Sequence, residues 1–121
     1  MGWVYSQRTG SLSHNGVHIA TGYSGHGEGK NNPDMQGVPN VGPCPQGHYQ
    51  IGSPKDDDHV GPFALPLTPM PGTDTFGRFA FLIHGDSVIH PGTASEGCII
   101  LLRDARNQIA QSDDKELIVT A

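Results

Sequence analysis

The sequence predicts a mainly β fold with one or two short helices, in a single loop-rich domain over residues 1–121. Three observations lead there. Glycine (17) and proline (10) are abundant among the 121 residues. They punctuate short patterned apolar segments instead of forming low-complexity tracts, as turn residues do in an all-β chain. Asn15-Gly16 is the dipeptide of a two-residue hairpin turn. Only the stretch after Leu102 carries helical spacing.

The elements follow in order. Trp3-Val-Tyr5-Ser alternates large apolar and polar residues, and Leu12 follows a Thr9-Gly10-Ser11 turn. Behind Asn15-Gly16, Val17-His-Ile19-Ala-Thr21 alternates again. Gly22-Tyr23-Ser24-Gly25-His26-Gly27-Glu28-Gly29, then Asn31-Asn32-Pro33, is a glycine-dense piece suited to close backbone approach. Gly42-Pro43-Cys44-Pro45-Gln-Gly47 reads as a rigid turn feeding a strand, with Tyr49 and Ile51 on one face. Residues 55–61 form a charged loop. Phe63-Ala-Leu65-Pro-Leu67 reads as a proline-interrupted edge strand. Residues 69–77 form another loop. Arg78–His84 is a near-continuous apolar strand, and Cys98–Leu102 is a second. Residues 103–111 fit an amphipathic helix with Leu102, Ala105 and Ile109 on one face. Leu117-Ile-Val-Thr closes the chain as a strand.

Charge and hydropathy narrow the function. The formal net charge is −5, and the seven Lys and Arg residues are scattered. Without a basic stripe, nucleic acid is not an expected partner. No apolar run reaches membrane-spanning length. Met-Gly-Trp-Val-Tyr-Ser-Gln has no charged region followed by an apolar stretch, so an ordinary secretory signal is not expected.

The chemistry concentrates in Phe81-Leu-Ile-His84-Gly85-Asp86-Ser-Val-Ile-His90-Pro-Gly-Thr-Ala-Ser95-Glu96-Gly97-Cys98-Ile-Ile. A histidine at the end of one strand-like segment and a cysteine at the start of the next are the parts of a thiol nucleophile with its base. Gly97 permits a sharp turn that aims the Gly97 and Cys98 amides at a developing oxyanion. Ser95 can orient the loop or bond the imidazole. His84 needs a partner on its other nitrogen, and Asp86, Ser95 and a backbone carbonyl are all candidates.

Other readings compete. The glycine-dense piece superficially matches a phosphate loop but lacks the Lys-Ser/Thr pair and a following helix. His84, His90 and Cys98 offer zinc-type donors without a matching ligand spacing, and no metal or other cofactor is expected. Cys44 and Cys98 would allow one disulfide, as in a non-catalytic cell-wall binding module. A papain-like amidase also uses cysteine and histidine, but in the opposite chain order.

His84-Gly85-Asp86 followed by Ser95-Glu96-Gly97-Cys98-Ile99 resembles the signature of the L,D-transpeptidase catalytic domain, where a His-Gly precedes a Ser/Thr-His-Gly-Cys-Val/Ile box. Trp3-Val-Tyr5, Thr9-Gly10, Leu12, Gly22-Tyr23-Ser24-Gly25, Gly27, Asn32, Gly42-Pro43-x-Pro45-x-Gly47-x-Tyr49-x-Ile51 and Phe81-x-Ile83-His84-Gly85-Asp86 extend the resemblance. They match one branch, small type VI secretion effectors that attack peptidoglycan.

The resemblance implies a mixed β-sheet or sandwich fold, with Cys98 as nucleophile and His84 as general base. It implies Asp86, Ser95 and Gly97 as supporting site residues, and Tyr23, Ser24, Gly25 and His90 on the substrate side. The implied substrate is the tetrapeptide stem of peptidoglycan. The thiolate attacks at the L-centre of meso-diaminopimelate and expels the terminal D-alanine. Water (L,D-carboxypeptidase) or another D-amino acid (exchange) then takes the acyl group. The implied setting is synthesis in the cytoplasm, delivery by secretion machinery, and action in the periplasm of target bacteria, with a cognate immunity protein in the producer.

Some positions depart from the pattern. Glu96 replaces the box histidine. Ile100 stands where many members carry an arginine, leaving Arg78 or Arg103 as substitutes. Cys44 replaces an aliphatic residue. The short gap from His84 to Cys98 implies a trimmed lid and an open cleft.

Overall fold

The computed structural model describes residues 2–121. Ten strands and one α-helix form a mainly β domain: β1 (Trp3–Ser6), β2 (Ser11–His14), β3 (Val17–Thr21), β4 (Tyr23–Ser24), β5 (Gly47–Ile51), β6 (Lys55–Asp57), β7 (Gly61–Pro69), β8 (Leu82–His84), β9 (Ile99–Ile100), α1 (Arg103–Gln111) and β10 (Glu116–Thr120). Two single 3-10 turns, Gly27–Gly29 and Pro33–Met35, break the long connection between β4 and β5.

The strands run in the order β3-β2-β1-β10-β5-β7-β8-β9-β4, with β6 pairing β7. The sheet is mixed: β1–β10 and β8–β9 are parallel, and the other pairs are antiparallel. The β2–β3 turn follows from its sequence. Asn15 and Gly16 sit at φ 52° and 80°, the left-handed values a type I′ turn needs.

The alternating strands bury one face each. Trp3, Tyr5, Leu12, Tyr49, Ile51, Leu117 and Val119 share a core with Leu65, Ile83, Ile99 and Ile109. The helix contributes Ala105, Arg106 and Ile109 to the interior. Leu102 is not among them. It precedes the helix in extended backbone and is exposed.

Three further expectations need correction. The 55–61 stretch is not a plain loop, because Lys55–Asp57 pairs with β7 as a hairpin. The Phe63–Leu67 segment is not an edge. It lies within β7, flanked by β5 and β8. Pro66 is tolerated there because its carbonyl accepts from Gly52 (2.8 Å), just past the end of β5. A residue's N and O point to the same side, so the missing N–H faces chain that has already left the ladder.

The two apolar runs are also shorter as strands than the sequence suggests, three residues in β8 and two in β9. Ala80 adopts φ 66° and Phe79 is 85% exposed, so the chain before Leu82 is bent out of the sheet. These short strands place His84 and Cys98 at adjacent strand ends, His84 buried and Cys98 partly exposed.

Candidate active site

Parallel pairing of Ile83 with Ile99 and of His84 with Ile100 sets the register of β8 and β9. Cys98 immediately precedes Ile99 and so stands opposite Leu82. Because side chains alternate across a strand, His84 and Cys98 share the face opposite to Ile83 and Ile99. They are diagonal neighbours on adjacent strands.

His84 is only 2% exposed. Its Nδ1 donates to the carbonyl of Gly85 (2.8 Å), which settles the orienting partner as a backbone carbonyl. Nδ1 thus carries the ring proton, and Nε2 is left unprotonated as a base. Burial pushes the imidazole below its ordinary pKa, and the Arg106 guanidinium pushes in the same direction against the Gly85 bond. Burial likewise raises the Cys98 thiol, although the Leu82 amide facing the sulfur favours the thiolate. The resting pair is therefore neutral thiol and neutral imidazole, unlike the ion pair of a papain-type site. Cys98 Sγ lies 3.9 Å from the carbonyl of Ala80, and no hydrogen bond among the described residues joins it to His84. Such bonds commonly tighten only when substrate binds.

A pH prediction follows. The base must be neutral, and His84 stays neutral below the usual imidazole value. The acid limb of kcat/KM is expected below about pH 6.5, the ordinary imidazole value. Alkylation of Cys98 by iodoacetamide is expected to be slow at pH 7 and to climb above about pH 9. A fast, pH-independent alkylation near neutrality would contradict the neutral pair.

The turn before Cys98 is pinned from several sides. Ser95 Oγ donates to the Cys98 carbonyl and accepts from the amides of Gly25 (2.8 Å) and Gly97 (3.1 Å). This corrects the expected oxyanion hole: the Gly97 amide is spent on Ser95, and the Cys98 amide remains to donate. Gly97 is required for space as well as conformation. Its φ is 140°, and an added Cβ would press on the Arg78 guanidinium, which four backbone carbonyls hold in place.

Asp86 does not touch the imidazole. Its carboxylate accepts from the Tyr23 hydroxyl (2.6 Å) and from the amides of Ser87 and Gly92. Those bonds hold the carboxyl below the ordinary carboxylate range against its partial burial. The Tyr23 hydroxyl in turn accepts from the Ala94 amide (2.9 Å), and Lys30 Nζ donates to the Gly92 carbonyl (3.1 Å). The connection from 85 to 97 is thus tied down rather than loose.

The residues assigned to the substrate side lie elsewhere. Tyr23 and Ser24 are buried beneath this loop. Ser24 Oγ donates to the Gly97 carbonyl (3.1 Å) and accepts from the Cys44 amide (2.8 Å), so it fastens layers instead of facing substrate. Gly25 is closed in by the carbonyls of Gly29 and Val41. His90 sits on an exposed turn whose carbonyl accepts from Thr93, away from the thiol's cavity. The zinc alternative therefore loses His90, and no group of three metal-ligating side chains converges among the described residues.

Cys44 and Cys98 are both free, so the disulfide-stapled module is not what forms. Cys44 is wholly buried, which pushes its thiol up to about 12. It fills the core.

Cys98 opens into a cavity of about 360 Å³, shared with Phe76, Arg78, Phe79 and Glu96. Of the two arginine substitutes, Arg78 lines this cavity, but its guanidinium donates to the carbonyls of Gln36, Gly42, Pro43 and Glu96. Arg103 packs over the Phe63 ring (4.4 Å) and lines neither this cavity nor the one beside His84.

Sequence reasoning missed Arg106. It is 7% exposed; its Nε donates to Leu101 (3.1 Å) and its Nη1 to Pro62 (3.1 Å) and Phe63 (3.0 Å) carbonyls. Its Nη2 lies under Gly85, 2.8 Å from where a Cβ would be. The signal was available: Arg106 neighbours Ala105 and precedes Ile109 by three, so it belongs to the inward stripe.

A family profile described as Tlde1 domain matches residues 18–119. No curated protein and no solved structure gives a match. With the profile covering most of the 121 residues and the histidine and cysteine on one face, the chain belongs to the Tlde1 domain family, the type VI secretion L,D-transpeptidase effectors.

Proposed function

We propose that the protein is a cysteine-dependent peptidoglycan enzyme. It removes the terminal D-alanine of tetrapeptide stems by hydrolysis, exchanges it for another D-amino acid, or does both. The observation that carries this reading is the His84–Gly85 bond. It fixes the tautomer and leaves Nε2 basic on the face it shares with Cys98.

In the mechanism, His84 takes the thiol proton as Cys98 Sγ attacks the carbonyl carbon at the L-centre of meso-diaminopimelate. The Cys98 amide donates to the oxyanion. The imidazolium then protonates the leaving amine, and a thioester remains. Water or an amine attacks next, with His84 as base. Cys98 returns as a thiol. The mixed wall of Phe76, Phe79, Arg78 and Glu96 suits a stem that carries both methyl groups and charged ends.

A delivered toxin of this kind strips donor stems from the target's wall. The same reading places synthesis in the producer's cytoplasm, delivery by secretion machinery and action in the target's periplasm. It also calls for an immunity protein in the producer. The papain-like alternative is disfavoured by the chain order, in which the histidine precedes the cysteine.

Mass spectrometry of purified tetrapeptide muropeptides tests the proposal. With wild-type protein, loss of one alanine reports hydrolysis, and an added D-amino acid appears as a mass exchange. Cleavage at an amide bond nearer the glycan would instead identify an amidase.

A further inference from the structure

Two cavities flank the catalytic pair, and each takes only one member of it. Cys98 lines the first. His84 lines the second, of about 330 Å³, with His59, Val60, Asp86, Ser87, Thr93 and Ala94. The first has phenylalanine walls. The second has polar ones and small apolar patches at Val60 and Ala94. Its floor is fixed, because the Asp86 carboxylate and the Ala94 amide are both bonded to Tyr23. His84 is almost wholly buried, with Nδ1 held by Gly85, so Nε2 is the polar atom left to serve this side.

The chemistry restricts what can occupy each side. His84 must protonate the amine that leaves and deprotonate the amine that arrives. In an exchange these groups are both amino acids, and the second half-reaction is the first run backwards. Microscopic reversibility therefore gives leaving and arriving amino acids one shared place, beside His84 and across the thiol from the acyl chain.

Resting on the exchange reading above, we propose that the second cavity is the amino-acid site. It holds the D-alanine being expelled and then the incoming acceptor, while the acyl donor lies in the Cys98 cavity. In the acceptor step the amine nitrogen bonds to the thioester carbonyl carbon and the C–S bond breaks. The amine proton passes through His84 Nε2 to Cys98 Sγ. Water in the same place gives hydrolysis. Val60, from the β6–β7 turn, sets how large an acceptor side chain fits.

The test is a competition between glycine and D-phenylalanine for acyl-enzyme formed from one tetrapeptide muropeptide, with both exchange products read in the same tube. Val60→Phe is expected to shift the product ratio about tenfold toward glycine, and Val60→Ala to shift it toward D-phenylalanine. Phe79→Ala, in the other cavity, is expected to raise KM for the muropeptide and leave the acceptor ratio alone. If Val60→Phe does not fold, Thr93→Trp at an exposed position of the same cavity gives the same readout. An acceptor ratio insensitive to these changes, or one moved as much by Phe79→Ala, overturns the assignment while acyl-enzyme formation still stands. A wild-type protein that forms no adduct on Cys98, by intact mass, overturns the exchange reading and this inference together.

Discussion

Replacing Cys98 with alanine is expected to abolish D-alanine release from tetrapeptide muropeptides, with a fall in kcat on the order of 10⁴–10⁶-fold. In the proposed mechanism the thiol forms the covalent bond, so no neighbouring group can take over. Glu96, the nearest carboxylate in sequence, is exposed on the cavity wall and has no base of its own. The fold should survive. Cys98 is only partly buried, and its replacement should cost no more than about 1 kcal/mol. Cys44→Ala is the opposite case. It removes a wholly buried sulfur from the core, so stability drops by about 1 kcal/mol or somewhat more while release stays close to wild type. Quantified alanine release and thermal melts of the two variants check both statements. Release that persists in Cys98→Ala would sink the mechanism.

Arg106→Met should be the most destabilising single change near the site. It leaves the carbonyls of Leu101, Pro62 and Phe63 without their donor inside the protein. Each unsatisfied buried acceptor costs about 1–3 kcal/mol, and some relaxation will occur, so a total of roughly 3–5 kcal/mol is expected. For a domain of this size that lowers Tm by about 10–25 °C. A second readout separates positioning from plain stability. The guanidinium helps hold the His84 pKa down. Arg106→Met should therefore move the acid limb of kcat/KM upward. Arg106→Lys should keep the limb near its wild-type place while still losing the forked bonds. A Tm within a few degrees of wild type for Arg106→Met, or identical acid limbs for the two variants, contradicts this role.

Local chemistry was readable from the residues. Asn15-Gly16 specified its turn, the alternation of Trp3 to Ser6 and of Gly47 to Ile51 specified strands, and the 103–111 periodicity specified the helix. What could not be read is set by distant partners. Nothing around Pro66 says that β5 stops just where its N–H would have been needed. Nothing in Arg78–Phe81 announces that Ala80 takes a left-handed φ.

The same division holds at the site. His84 and Cys98 could be singled out as candidates from their spacing and flanking glycines, because a thiol nucleophile and a base are required residue types for the proposed chemistry. The roles of Asp86, Ser95 and Gly97 depended on who meets whom across the fold. Tyr23 is 63 residues from Asp86, and Ser95 bonds Gly25 across 70 residues. Arg106 was hidden for another reason: an arginine on a short helix is read as solvated unless its stripe is traced.

The place of β10 has a consequence for when the fold is complete. The last strand lies in the interior of the sheet, between β1 and β5, and is parallel to the first. Until residues 116–120 are in place, β1 and β5 present two open edges across a gap, although β4 on β9 already ties the N-terminal third to the sheet bearing His84 and Cys98. Closing them requires contacts between residues more than 110 positions apart, such as Trp3 with Leu117. A chain cut before residue 116 would thus lack the strand that joins β1 to β5. With residues 116–120 in place the domain would fold as one cooperative unit, so limited proteolysis should yield intact domain or nothing active.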